Sequence, residues 1–321
     1  MLLTTPRRTP PCPRGAIVSD PTPVIDDLRD ESEELDALIG RLTPGQWRLA
    51  TPAPRWTVAH QVAHLNWTDR AALTAVTDED AFRRLVEEAL AAPDRYVDDG
   101  AEDGARQEPA ALLASWREGR AALDKALRAA APGSRFPWYG PPMAVASMAT
   151  ARLMETWAHG LDIADALGVV RPPTGRLRHV ARIGVRARDF AYAVHGLTPP
   201  AEQFRVELTG PGGDLWTYGP EDATQRVTGP ALDFCLLATR RAHRADLALA
   251  AEGQDAGHWL DIAQAFAGPP GAGRPPRDPG RGPGDGRGIG AGRGSGAGRE
   301  PGTGREPEDG REPGTPQGEA R

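Results

Sequence analysis

Two segments place ionisable side chains one helical turn apart in otherwise apolar surroundings: WTVAHQVAHLNWTD (Trp56 to Asp69) and METWAHGLDIADAL (Met154 to Leu167). His60 and His64 stand four apart in the first, Glu155 and His159 four apart in the second. At 3.6 residues per turn each pair projects from one face of a helix. Four potential ligands on two helices can therefore converge on a single ion in the core of a bundle. The neighbours Val58, Val62, Leu65, Leu153, Met154, Trp157, Leu161 and Ile163 are apolar. An ionisable group within such a face is costly unless it is paired or metal-bound. The competing reading is that of hydrogen-bonded histidines sharing this spacing by chance.

The elements that must hold these side chains follow from hydrophobic periodicity. VIDDLRDESEELDALIGRL puts Val24, Ile25, Leu28, Leu35, Leu38 and Ile39 on one face, closed by Gly40 and Pro44. A second helix is expected from about Thr57, carrying the first ligand segment, with two more over about 79–92 and 109–131. After the linker PGSRFPWYGPPM, a long helix from Ala144 to Leu167 carries the second ligand segment, and Gly168 with Pro172 and Pro173 ends it. Another helix spans about 174–194. The period then changes from 3.6 to 2: FRVELTG and DLWTYG alternate around Pro211, Gly212 and Gly213 as a β-hairpin, and QRVTG adds a third short strand. Helices follow from Pro230 and over HWLDIAQAFAG. The expected fold is mainly α with a small α+β domain, a helical bundle over 23–196 followed by a sheet-and-helix domain over 200–268.

The flanks have a different composition. Residues 1–22 are Pro-rich, and 271–321 are Gly, Pro, Arg and acid, ending in GREPGTGREPEDGREPGT. Ordering a segment with so little to bury costs about 1–2 kcal/mol per residue without compensation, so a disordered leader and tail are expected. The chain of 321 residues has a formal net charge of −6, which argues against a nucleic-acid partner. No stretch approaches the roughly 18–20 apolar residues that span a bilayer, and the N-terminus has Pro and Arg where a signal peptide needs an apolar core. A cytoplasmic protein with no membrane partner is expected. Cys12 and Cys235 form neither a disulfide framework nor a cysteine-based zinc site, so a metal would take His and carboxylate ligands. Lys125 is the single lysine against 37 arginines, a skew that suggests a high-GC bacterial coding genome.

W-T-V-x-x-x-V-A-H-L at Trp56 to Leu65 and E-T-W-A-H-G-x-D at Glu155 to Asp162 resemble the two ligand helices of the DinB-like metal-binding bundle superfamily. Within it they resemble the mycothiol-dependent maleylpyruvate isomerase-like branch, and the longer WTVAHQVAHLNWTD with ARLMETWAHG looks more like an actinobacterial metal-binding sister group. The resemblance covers about 23–268, because ELTG, LWTYGP and RVTGPALDFCLL follow in the order of the small C-terminal domain of these proteins. It implies a DinB-like up-down bundle and a ligand triad on His64, Glu155 and His159, with one to three positions open for water or a substrate atom. His60 is not demanded by that pattern. It stands as a fourth ligand, a general base or a structural histidine bonded to a backbone carbonyl. Asp162 is either an acceptor for the second N–H of a ligand imidazole or an ordinary solvated carboxylate. Zn²⁺ suits the donor set, and Fe²⁺, Ni²⁺ and Mn²⁺ are accepted by it too.

In the resembling enzymes the open site binds a low-molecular-weight thiol, mycothiol, whose ionisation the metal favours. The resemblance thus implies an enzyme with mycothiol as co-substrate and a small electrophile as substrate, giving isomerisation or S-transfer. An anionic substrate would need a cation. The candidates are Arg152 on the second ligand helix and Arg226, Arg240 and Arg241 in the α+β segment; arginines of each kind are more often at the surface, and Arg152 alone is retained as a substrate binder. Trp138 and Tyr139 are candidates for lining a substrate pocket, and Trp157 is assigned to the core. Two other readings stand beside this one. A non-catalytic metal-binding or ligand-sensing module would follow from a closed four-ligand site that includes His60. An association with RNA modification would follow from the wyosine base formation label that members of the sister group carry, although neither iron–sulfur cysteines nor a basic surface accompanies it.

Overall fold

The computed structural model describes residues 20–93, 95–268 and 271–277. The expected leader up to Ser19 and the expected tail beyond Arg277 lie outside these residues. Helices α1 (Thr22–Ile39), α2 (Val58–Thr77), α3 (Glu79–Ala91), α4 (Tyr96–Ala105), α5 (Pro109–Ala129) and α6 (Val145–Leu167) come first, with the short strands β1 (Arg135–Phe136) and β2 (Met143–Ala144) just before α6. α2 packs on α4, α5 and α6, and α6 also packs on α1 and on α7 (Leu177–Arg186). The two helices expected to carry ligands are therefore neighbours. α6 has buried residues on almost every side between Val145 and Ala164, as a helix enclosed by several others must. Gly168 ends it in the left-handed region at φ 67°, which glycine adopts without a Cβ penalty.

α4 escapes sequence periodicity because Ala101 is its single buried residue. Its acids and glycines are held instead by α2 and the loop before it: a Cβ on Gly104 would meet that of Ala63 at 2.7 Å, and Asp98 accepts from Trp56 Nε1 at 3.1 Å. The helix expected over 174–194 divides at Ala187 into α7 and α8 (Arg188–Val194). There Arg188 donates to the carbonyls of Glu202 and Pro200 in the following loop.

Strands β3 (Arg205–Thr209), β4 (Leu215–Tyr218), β5 (Arg226–Pro230) and β6 (Ala250–Glu252) form a sheet in the order β4-β3-β5-β6. The β3–β4 hairpin pairs Val206 with Tyr218 and Leu208 with Trp216, β5 runs parallel to β3, and β6 is antiparallel to β5. The fourth strand, of sequence AAE, is too short to announce itself. α9 (Ala231–Ala238) and α10 (Gln254–Ile262) complete the segment, and α9 stops early because Arg240 turns to φ 62°. Met148, Leu153 and Trp157 of α6 share one apolar cluster with Val180, Val206, Phe234 and Trp259. Bundle and sheet thus grow from a common core within one compact unit. Among the described residues no helix is long and apolar enough to cross a membrane.

Candidate metal centre

His64 on α2 faces Glu155 and His159 on α6, and one potential ligand atom from each lies within 4.8 Å of the other two. Glu155 Oε2 is central, 3.3 Å from His64 Nε2 and 3.0 Å from His159 Nε2, with the ring centroids 4.5 Å apart. The i, i+4 spacing on α6 sets one contact, and the packing of α2 on α6 sets the other. Burial opposes ionisation of Glu155, yet the two imidazoles and the field of Arg152 hold its carboxyl well below the usual range. Burial pushes His159 down to about 4, and the nearby His64 adds to this. The cluster at pH 7 therefore combines an ionised carboxylate with a neutral His159, the protonation states that ligate a metal.

His159 Nδ1 meets Gln61 Oε1, and Gln61 Nε2 donates to Thr51 Oγ1 at 2.8 Å. Gln61 is fully buried, on the same face of α2 as His64. Sequence reasoning missed it, although an amide three residues before His64 in an apolar run was a signal. His64 Nδ1 is buried with no hydrogen-bond partner among the described residues. Two imidazole nitrogens and one carboxylate oxygen that converge in a buried setting are a donor set that fits a divalent cation.

His60 goes elsewhere, against the expectation of a fourth ligand or a base at the site. It sits at the third position of α2, where its Nδ1 accepts from the Thr57 backbone N–H at 3.2 Å in a reciprocal cap, while Nε2 pairs with Glu102 at 2.9 Å. Of the three roles considered the structural one fits, with a backbone N–H rather than a carbonyl as partner. Asp162 also departs from its expected roles, being neither solvated nor bonded to a ligand imidazole. It is 3% exposed, and it accepts from Arg241 at 2.8 Å and from Arg274 at 2.6 Å. Two guanidinium groups outcompete a neutral imidazole for a buried carboxylate.

Arg152 lies one turn before Glu155 and is 4% exposed. Its Nε and Nη1 have no acceptor among the described residues, and its guanidinium lies 5.5 Å from the Trp138 ring centroid. Trp138 stacks on Phe82 at 5.6 Å. Tyr139 meets the Tyr96 hydroxyl at 3.4 Å and Trp67 at 6.5 Å, and Trp67 in turn lies 6.0 Å from His64. An aromatic wall thus runs from the β1–β2 loop to the cluster, with Tyr96 of α4 an unexpected member. Trp157 is buried in the core as expected. Arg226 pairs with Glu207 rather than reaching the cluster.

Fold and site together define a class: helical-bundle proteins with a two-histidine, one-carboxylate cluster between adjacent helices. The family profile described as mycothiol maleylpyruvate isomerase N-terminal domain matches residues 28–164, and the one described as wyosine base formation matches residues 200–252. Two Mycobacterium tuberculosis proteins described as uncharacterized, from strains CDC 1551 / Oshkosh and ATCC 25618 / H37Rv, are each 58% identical over 257 residues, which is 80% of this chain and 100% of theirs. Crystal structures of the mycothiol-dependent maleylpyruvate isomerase and of a histidine-to-alanine mutant of it share the fold at a TM-score of 0.50. Their identities are 15% and 14%, over 70% of this chain and 90% of theirs. The chain belongs to one family with these two mycobacterial proteins, and its residues 28–164 carry the profile described as mycothiol maleylpyruvate isomerase N-terminal domain.

Proposed function

We propose that the protein binds one divalent metal ion, Zn²⁺ by preference, through His64, Glu155 and His159, and that it is an enzyme of small-molecule thiol chemistry with mycothiol as co-substrate. The observation that carries this reading is the shared Glu155 oxygen between two imidazole nitrogens at 3.3 and 3.0 Å. A divalent cation supplies positive charge that stabilises a thiolate at neutral pH. Addition of a thiolate to an electrophilic double bond, rotation and loss of the same thiolate give isomerisation. Retention of the new C–S bond with protonation of the adduct gives S-transfer.

The chain's own residues contribute position and charge. Glu155 keeps its negative charge in a buried setting, and His159 stays neutral. Arg152 offers two buried nitrogens, Nε and Nη1, without acceptors among the described residues, suited to an anionic group on the electrophile. Trp138 lies against that guanidinium and Tyr139 against Trp138, so both would line the same side of a substrate. His60 is committed to the α2 cap, and the three remaining ligands match the count of catalytic zinc sites rather than closed structural ones. This weighs against the reading as a non-catalytic module. Among the described residues Cys235 is the one cysteine, buried with its thiol pushed up, so nothing there suits the iron–sulfur chemistry of the RNA-modification reading.

The test is metal analysis of Zn²⁺-loaded wild type, His64→Ala and Glu155→Ala, with mycothiol titrated calorimetrically into each. Near-stoichiometric metal and thiol binding in the wild type, both lost in the variants, is the expected result. Full metal without thiol binding rejects the thiol assignment, and a wild type that takes up no metal rejects the site.

A further inference from the structure

We infer that Gln61 is the positioning residue of the metal centre, fixing the proton of His159 on Nδ1, and that Thr51 locks Gln61 in the orientation this requires. The inference deepens the metal-binding reading above and rests on it. Its direction comes from the far end of a hydrogen-bond chain. The backbone carbonyl of Trp56 can only accept, so the Thr51 hydroxyl, 2.9 Å away, donates to it. With that hydrogen committed, Thr51 Oγ1 accepts from Gln61 Nε2 at 2.8 Å. The amide nitrogen therefore faces Thr51 and the amide oxygen faces His159 Nδ1. An amide oxygen has no proton to give, so Nδ1 carries the hydrogen. In a neutral imidazole this leaves Nε2 as a bare lone pair, 3.0 Å from Glu155 Oε2.

The consequence is a preset ligand. With its proton on Nε2 instead, His159 would donate to the Glu155 carboxylate, and two ligand atoms would be sealed in a hydrogen bond that an arriving ion had to break. With the proton held on Nδ1 by Gln61, Nε2 is the nitrogen left to meet an ion beside Glu155. The surroundings hold this state. Gln61 has no exposure through which water could exchange for its partners. Thr51 and Trp56 belong to a loop closed by the Ala50–Thr57 bridge and by the Thr51 N–H to the Trp56 carbonyl. The Trp56 ring stacks on the His159 ring at 5.9 Å and 21°, which restrains its plane.

The experiment uses metal-free full-length protein labelled with ¹⁵N-histidine, in which long-range ¹H–¹⁵N correlations report the tautomer of each imidazole, and His159 is assigned by its loss in His159→Ala. Zn²⁺ affinity is measured on the same proteins by competition with a chelator. The expected wild-type state at neutral pH is Nδ1–H. Gln61→Leu moves the proton to Nε2 and weakens Zn²⁺ binding by about 10–100-fold, while Gln61→Glu keeps Nδ1–H and the affinity. Thr51→Val, which touches neither ligand, frees the amide to turn over and yields a mixture of tautomers with a smaller loss. It also keeps the test alive should Gln61→Leu not fold. An Nε2–H wild type, or Gln61→Leu with tautomer and affinity both unchanged, overturns the inference. An Nδ1–H wild type that binds no Zn²⁺ upholds the relay and overturns the metal reading instead.

Discussion

Two buried polar clusters meet helix α6 at adjacent residues, and they are built on opposite principles. Beside Gly160, Glu31 of α1 is 1% exposed and takes Arg171 at 2.6 Å and Arg176 at 2.7 Å, while Glu34 pairs with the same two arginines. Two negative and two positive charges close on each other, and Arg171 packs so tightly that a Cβ on Gly160 would meet its Nη1 at 2.5 Å. At His159 the balance is left open. Glu155 faces neutral His159, His64 Nδ1 has no partner, and Arg152 brings a guanidinium with two nitrogens unanswered. Burial of charge is common to both clusters, and Arg171 Nη1 also lacks an acceptor among the described residues, so what separates them is charge balance: each of Glu31 and Glu34 meets both arginines, whereas Glu155 faces a neutral His159. A self-neutralising cluster holds a fold together, and an unbalanced one at the heart of a bundle asks for something from outside.

Exchanging the two glutamates should separate these roles most sharply. Glu155→Gln is expected to reduce zinc from near-stoichiometric to background while the metal-free protein keeps its folding cooperativity, as read by elemental analysis and chemical denaturation. Glu31→Gln should do the reverse, costing about 3 kcal/mol because two guanidinium groups are left to share the single charge of Glu34, with zinc content unchanged. Loss of zinc in Glu31→Gln would merge the two clusters into one functional unit.

The next effect concerns Asp69, whose carboxyl burial raises to about 6, against the opposing pull of Arg152 and of Trp116 Nε1. A proton held more tightly in the folded than in the unfolded chain makes stability fall as pH rises from about 4 to about 6, leaving a deficit of roughly 3 kcal/mol above that range. Asp69→Asn keeps an acceptor for Trp116 and removes the charge. It should be more stable than wild type at pH 7, with the advantage fading as pH falls from 6 to 4. Thermal melts across that range check this, and a variant less stable at pH 7 would mean that Arg152 depends on the Asp69 charge. The smallest effect is expected for His60→Ala, about 1 kcal/mol from the lost cap and no change in zinc content. Loss of zinc there would restore His60 to the metal centre.

The positions of His64, Glu155 and His159 were legible because each sits in a dense apolar repeat that fixes both the helix and its buried face. His60 has the same spacing from His64 that Glu155 has from His159, so spacing alone cannot separate the two pairs. The distinction is position within the helix: three residues after Thr57, a side chain can bend back to the helix start. The partners of Asp162 were hidden by sequence distance, since Arg241 and Arg274 lie 79 and 112 residues away. Arg274 belongs to the Gly/Pro/Arg stretch read as tail, yet it reaches Asp162 and Asp165 on α6. Composition describes what a segment can bury and says nothing of a single arginine meeting a carboxylate. Gln61 and Thr51 stayed invisible for a related reason, because neither residue type signals chemistry until a neighbour fixes which end of the amide faces which atom.

Trp56 and Trp67 bracket His64 with ring centroids 5.3 and 6.0 Å from its own, and Trp56 lies 5.9 Å from His159. The indoles form an intrinsic optical reporter built around the ligand cluster. Cobalt, with unpaired d electrons, would quench their fluorescence on entering, whereas zinc with its filled shell would not. Displacement of one by the other would then be visible as emission from the native chain, with no dye attached.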